Sequence, residues 1–204
     1  MDKHFVITIG REFGSGGHEI AEKLAEKLNI KCYDKEILAE SAKKSGFREQ
    51  VFEENDEKTK NSLIYSIVTG ISNYTNSQPL SVQLFLDQFH TIKEIADKES
   101  CVMVGRCSDY VLRERDDTIN VFAHAPMDAR MKRICQRYDV TENKAEEMIE
   151  KQDKTRASYY NYYTNQKWGE AKYYDLSFDT SKTGIDGAIQ LIMEYVNISM
   201  NSAK

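Results

Sequence analysis

Residues 5–28 carry the pattern that most restricts the fold: a short β-branched apolar run, a glycine-rich turn, and a helix with one apolar face. Phe5-Val-Ile-Thr-Ile9 is apolar almost throughout and ends at Gly10, as a buried parallel strand does. Beyond the turn, Ile20, Leu24 and Leu28 recur at helical spacing with Ala21 and Ala25 beside them, which lines one face of a helix. Strand, glycine turn and helix in that order form the usual cradle for an anion. Glycines let backbone N–H groups turn inward, and the helix start adds partial positive charge. A glycine turn that merely lets strand and helix meet closely is the competing reading.

Further along, Ile30–Tyr33, Cys101–Val104, Thr118–Ala123 and Leu176–Phe178 read as four more short strands. Helices are expected from Pro79 to about Lys98, over 127–137 and 142–162, and from Ile185 to Tyr195. The region 35–98 reads as mostly helical, with Ser72–Pro79 its clearest loop and the charged run 53–60 a solvated stretch. Strands alternating with helices predict an α/β fold with a mostly parallel sheet. Ligands of such sheets bind at the carboxyl ends of the strands. Here those ends carry Gly10–Gly17, Asp34–Lys35, Gly105–Asp109 and Asp179–Thr180.

Bulk properties exclude several classes. The 204 residues carry a net charge of −5, which disfavours nucleic acid and acidic membranes as partners, so an anionic ligand needs a local cluster of cations. No run of roughly 18 apolar residues is present, so no membrane span is expected. The start of the chain lacks a leader pattern, and the four cysteines form neither a CxxC pair nor a zinc-ligand set. A cytoplasmic protein with reduced thiols and no assigned metal ligand is the expectation.

The loop Gly10-Arg-Glu-Phe-Gly-Ser-Gly-Gly-His-Glu19 departs from the GxxxxGK[ST] pattern, because Gly17 stands where a lysine would follow Gly16 and His18 comes next. Backbone amides of Gly14, Ser15, Gly16, Gly17 and His18 are the candidate phosphate ligands. Arg11 and His18 are the candidate sources of the missing positive charge, with histidine the weaker of the two.

Several segments are then recognisable in order. VITIGREFGSGGHEIAEKLAEKL resembles the start of bacterial cytidylate kinases, and more closely the cytidylate kinase-like family, which carries a REFGSGG-type loop. VMVGRCSDYVL (102–112), INVFAHAPMDARMKRI (119–134), DKTRASYYNYYT (153–164) and DLSFDTSKTGIDGAIQLI (175–192) resemble later segments of the same family. Residues 40–80 match least. The resemblance implies a single domain with a three-layer P-loop kinase fold around a five-stranded sheet. It also implies a helical acceptor-binding insertion (36–98) and a short lid (136–166). The implied reaction moves the γ-phosphoryl of ATP, bound with Mg2+, to a small phosphorylated acceptor such as CMP or dCMP.

Carried onto this sequence, Arg106 contacts the acceptor phosphate, unless it pairs structurally with Asp109 or Glu114. Asp34 and Lys35 lie where the family binds its acceptor, although either residue can instead cap the helix that follows. The family aspartate after Gly-Arg is Cys107 here, and Asp109 is the available substitute. Arg130 and Arg133 match lid-entry arginines, sharing a helix face with Arg137, which reads as surface. Asp153 and Arg156 are spaced to pair within one turn and place the arginine over the donor phosphates. Tyr159, Tyr160, Tyr162, Tyr163 and Trp168 read chiefly as packing. Two alternatives stay open: a kinase for a different small acceptor, and a non-catalytic nucleotide- or anion-binding module lacking the Walker lysine.

Overall fold

The computed structural model describes residues 4–46, 49–56 and 79–202. Five strands form one parallel sheet in the order β2-β3-β1-β4-β5. They are β1 (Val6–Arg11), β2 (Lys31–Tyr33), β3 (Cys101–Val104), β4 (Thr118–His124) and β5 (Leu176–Asp179). Around them lie α1 (Gly17–Leu28), α2 (Glu36–Ser45), α3 (Glu49–Asn55), α4 (Leu80–Lys98) and the short α5 (Ser108–Val111). Beyond β4 come α6 (Met127–Tyr138), α7 (Glu142–Thr164) and α8 (Thr180–Ser202).

Alternation along β1 divides the interior into two cores, because successive side chains point to opposite faces of a strand. Ile7 and Ile9 join Ile20 and Leu24 of α1 and Ile189 and Ile192 of α8 on one face. Val6 and Met103 join Ile37 of α2 and Ile92 and Ile95 of α4 on the other. The sheet is thus covered on both sides, which is why β3 (CVMV) is apolar throughout and β1 nearly so. With β1 central, flanked by β3 and β4, the chain reverses its winding direction beside β1. The crevice outside the carboxyl ends of β1 and β3 is the ligand position for this topology.

Most expected elements are present, with shifted ends. The second strand starts at Lys31 rather than Ile30, because Ile30 N–H still donates to Ala25 O and closes α1 after the left-handed Asn29. The last helix begins at Thr180 rather than Ile185 and runs on to Ser202. An early turn forms there because Ser181 N–H is capped by the Asp179 carboxylate at 2.8 Å, and Gly184 (φ 64°) then breaks the run where the sequence pattern begins. The loop expected over 72–79 lies outside the described residues apart from Pro79, as do residues 57–60 of the charged run. Among the described residues no helix is long and apolar enough to cross a membrane.

Leu24 is fully buried between β1 and α8 whereas Glu26, on the same helix, is exposed. Leu24→Ala is expected to lower unfolding free energy by about 2–5 kcal/mol. Glu26→Ala is expected to change it by no more than roughly 0.5 kcal/mol, both read from urea melts.

Candidate phosphate-binding and transfer site

The loop leaving β1 is set by contacts from three other elements. Glu12 N–H donates to Ala123 O, and the Glu12 carboxylate accepts from Ala125 N–H at 3.1 Å, fixing the exit from the sheet onto β4. Phe13 N–H donates to the Asp153 carboxylate of α7 at 2.7 Å. Ser15 is buried, its hydroxyl donating to Glu12 O at 2.8 Å, while Thr180 at the start of α8 donates its hydroxyl to Ser15 O at 2.6 Å. Gly16 then adopts φ 87°, the left-handed conformation that suits glycine, and α1 starts without a side-chain cap. A Cβ at Gly16 would sit 2.7 Å from Ile185, and one at Gly17 only 2.5 Å from the Arg11 Cβ. The close packing that competes with the cradle reading is therefore present at both glycines, beside a helix start that has no side-chain cap at Gly16.

The three arginines that close on this loop are not equivalent. Arg133 donates to Gly14 O at 2.6 Å, directly on the loop backbone. Arg130 is buried and donates to Asp153, with Glu12 3.5 Å away. Arg156 donates to Arg11 O at 3.1 Å and lies over the Phe13 ring. The expected Asp153–Arg156 turn pair is not formed: Asp153 serves Arg130 and Phe13 N–H instead, tying α6 and α7 to the loop. Arg137 is exposed against Tyr138, as read.

At the end of β3, Gly105, Arg106 and Cys107 all have positive φ (69°, 53° and 57°). Two non-glycine residues held there mark stored backbone strain, which concentrates at functional sites. Arg106 is only 3% exposed, and its guanidinium donates to Asp34 and, at 2.9 Å, to Asp56. Neither Asp109 nor Glu114 is its partner in these ion pairs. Asp56 comes from the charged run expected to be merely solvated, so that reading is corrected at this position. Asp34 also meets His18 Nε2 at 3.1 Å, and His18 Nδ1 lies 3.2 Å from Glu22. Carboxylates on both ring nitrogens favour the imidazolium, and the Asp34 hydrogen bond leads in raising the His18 pKa. Burial alone would raise the Asp34 carboxyl. The His18 hydrogen bond and the adjacent Arg106 charge outweigh it and hold the group well below the usual carboxylate range. Asp34 does not cap α2, whose N-cap is the exposed Lys35; Lys35 stays out of this cluster.

Between the β1 and β3 ends lies a narrow cavity of about 20 Å3, lined by Arg11, Arg106, Asp109, Arg156, Tyr160 and Trp168 among others. That is room for roughly one water molecule. Asp109 accepts from the Tyr160 hydroxyl at 2.7 Å, and burial pushes its carboxyl up to about 6. Most of the neighbouring aromatics pack as expected, Tyr163 stacking on Phe85 at 4.1 Å and Trp168 meeting Phe122 edge-on at 5.4 Å, whereas Tyr162 is exposed. Burial raises the Cys32 and Cys101 thiols to about 12, which disfavours the nucleophilic thiolate at both. Among the described residues no group of three or more His, Cys, Asp or Glu side chains is arranged to hold a metal ion. Residues that sequence reasoning missed are Glu12, Asp56 and, as the anchor of the loop, Thr180.

A parallel 2-3-1-4-5 sheet with a glycine loop feeding α1, and arginines converging from β3, α6 and α7, defines a P-loop kinase fold. Solved structures agree: the fold is shared with a gluconokinase of Sinorhizobium meliloti (TM-score 0.56, 14% identity, 99% of this chain and 100% of that one). A shikimate kinase of Acinetobacter baumannii also shares it (TM-score 0.52, 15% identity, 100% and 97%). Much more similar is a protein of Eubacterium ventriosum, at TM-score 0.73 and 33% identity over 95% of this chain and 99% of that one. Residues 6–182 match the model of the cytidylate kinase-like family, and the chain belongs to that family. It is 26% identical to the cytidylate kinase of Methanocaldococcus jannaschii over 94% of this chain and 97% of the relative. The cytidylate kinase of Methanopyrus kandleri is 24% identical over 92% and 90%.

The raised Asp109 pKa has a sign that can be tested. A carboxyl with a higher pKa folded than unfolded contributes stability at low pH that is lost as pH rises through the folded value. Between about pH 4 and pH 6 the native chain is expected to lose stability relative to Asp109→Asn, read from melts across that range; parallel pH profiles would contradict the assignment.

Proposed function

We propose that this chain transfers the γ-phosphoryl of ATP, bound with Mg2+, to a small phosphorylated acceptor, with CMP and dCMP the first candidates. The observation that carries this reading is the convergence of an uncapped helix start and a buried arginine on one crevice at the end of a parallel sheet. Family membership supports it. On this reading the amides of Gly14–His18 hold the donor phosphates, as helix N-termini hold anions. Ser15 braces the cradle, its hydroxyl and its amide both donating to Glu12 O, at 2.8 Å and 3.3 Å. Mg2+ would take its ligands chiefly from phosphate oxygens and water, with one or two carboxylates at most.

Arg106 receives the acceptor phosphate. Its guanidinium is already paired with Asp34 and Asp56, and the adjoining cavity is too small for a phosphate group. Acceptor entry therefore exchanges one carboxylate for the phosphate, keeping the buried cation paired throughout. Asp56, at the end of α3, is the partner that leaves, since Asp34 is also held by His18. Arg133 and Arg156 border the transfer site, and the region 136–166 closes over it to exclude water. Arg130 and Asp153 hold the loop in place, and Asp109 lines the acceptor side through its bond to Tyr160.

The test is a coupled assay of ADP release with MgATP and a panel of nucleoside monophosphates and other small phosphorylated acceptors. One acceptor is expected to support turnover, and Arg106→Ala is expected to lower kcat/KM on it by roughly a hundredfold or more. Nucleotide binding without turnover on any acceptor would instead favour a non-catalytic module, the reading supported by the missing lysine. Neither binding nor turnover would remove the nucleotide reading.

A further inference from the structure

The missing lysine has a structural counterpart. Read from Arg11, the segment Arg11-Glu-Phe-Gly-Ser-Gly16-Gly17 has the length of the GxxxxGK pattern, with Gly16 in place of its second glycine. The two positions that differ are the ends: an arginine stands where the first glycine belongs, and a glycine stands where the lysine belongs. These two residues are in contact. A Cβ built at Gly17 lies 2.5 Å from the Arg11 Cβ, 3.2 Å from its Cγ and 3.3 Å from the Ala123 Cβ. Real Cβ atoms do not approach so closely, and the atoms met are the rigid base of a side chain, so the two positions cannot both carry a stem.

We infer that Arg11 and Gly17 are a reciprocal exchange, in which the cation for the donor phosphates has moved from the start of α1 to the end of β1. This rests on the donor-binding reading above and names the residue that completes it. Arg11 is the last residue of β1, in register with Ala123 of β4, and is 9% exposed. Its backbone carbonyl is held by Arg156, and its side chain lines the same narrow cavity as Arg106. Among the neighbouring cations, Arg133 meets Gly14 O, Arg130 meets Asp153, and His18 meets Asp34 and Glu22, while the Arg11 charge lies close enough to act on both Asp34 and His18.

In the transfer, the bond between the γ-phosphorus and the β,γ-bridging oxygen breaks and its electron pair stays on that oxygen. An already anionic oxygen of the acceptor phosphate forms the new bond, so no proton has to move. Charge gathers on the bridging and γ-oxygens, where the fork of a guanidinium can donate two hydrogen bonds at once.

The full-length chain is compared with Arg11→Met, Gly17→Lys and the double variant Arg11→Gly/Gly17→Lys, with circular dichroism to establish folding. MgATP affinity is measured by calorimetry and ADP formation on the working acceptor by coupled assay. Arg11→Met is expected to weaken MgATP binding about tenfold, the worth of a charge-assisted hydrogen bond. It is expected to lower kcat about a hundredfold. Gly17→Lys alone is expected to lose activity or to misfold, and the double variant to recover at least about tenfold in affinity over Arg11→Met. Arg11→Met with affinity and kcat within about twofold of the native chain would overturn the inference, as would a fully active Gly17→Lys. A native chain that binds MgATP but phosphorylates no acceptor would defeat the kinase reading alone. The affinities would then still decide the role of Arg11.

Discussion

The turn from β1 into α1 leaves no room for a side chain at position 17, because the stem of Arg11 already fills that space. Much of the site's arrangement follows from this contact. The strand delivers its last residue to the crevice with the base of its side chain against Gly17, and the helix begins without a side-chain cap. Glu12 and Ser15 are then free to work as structural residues, one anchoring the loop on Ala125 N–H and the other bracing Glu12 O. Thr180 clamps the loop from behind by donating to Ser15 O, which ties the start of α8 to the loop. On the proposed reading, packing and loop hydrogen bonds shape the phosphate site before any ligand arrives.

The proposed acceptor side is organised by a different constraint, that of a buried cation. Arg106 needs partners at all times, since an unpaired charge at 3% exposure would carry a large desolvation penalty. Asp34 and Asp56 supply them, and the left-handed backbone over Gly105–Cys107 aims the guanidinium into the crevice. His18 links the two halves of the site: it sits on the first turn of α1 and pairs with Asp34 across from Arg106. The position that holds a hydroxyl in the GxxxxGK[ST] pattern is thus used here to pair with the carboxylate of Asp34 and lower its pKa.

How much of this the sequence disclosed depends on the range of the interaction. The strands, the loop and α1 were legible because their signals are local: β-branched runs, glycine spacing and an apolar helical stripe. Arg106 was legible for the same reason, as an arginine after a strand and a glycine. Its partners were not. Asp34 lies 72 residues away and Asp56 50, and nothing in a run of mixed charges marks the one carboxylate that turns inward. Asp153 shows the opposite failure: a plausible pairing with Arg156 on the same helix lost to the Phe13 amide 140 residues away, because the loop needed an acceptor there. The exchange between Arg11 and Gly17 was half visible. The absent lysine could be read from the letters, but that its space was filled by Arg11 required the packing of strand against helix.

The central claim, that the β1–α1 loop is a phosphate cradle completed by Arg11, is tested most directly by amide and arginine-side-chain NMR during titration with MgADP. The account predicts that the amides of Gly14, Gly16 and His18 and the Arg11 Nε resonance shift together and saturate at one nucleotide per chain. Saturable shifts elsewhere with these resonances unmoved, or no shift anywhere, would contradict it.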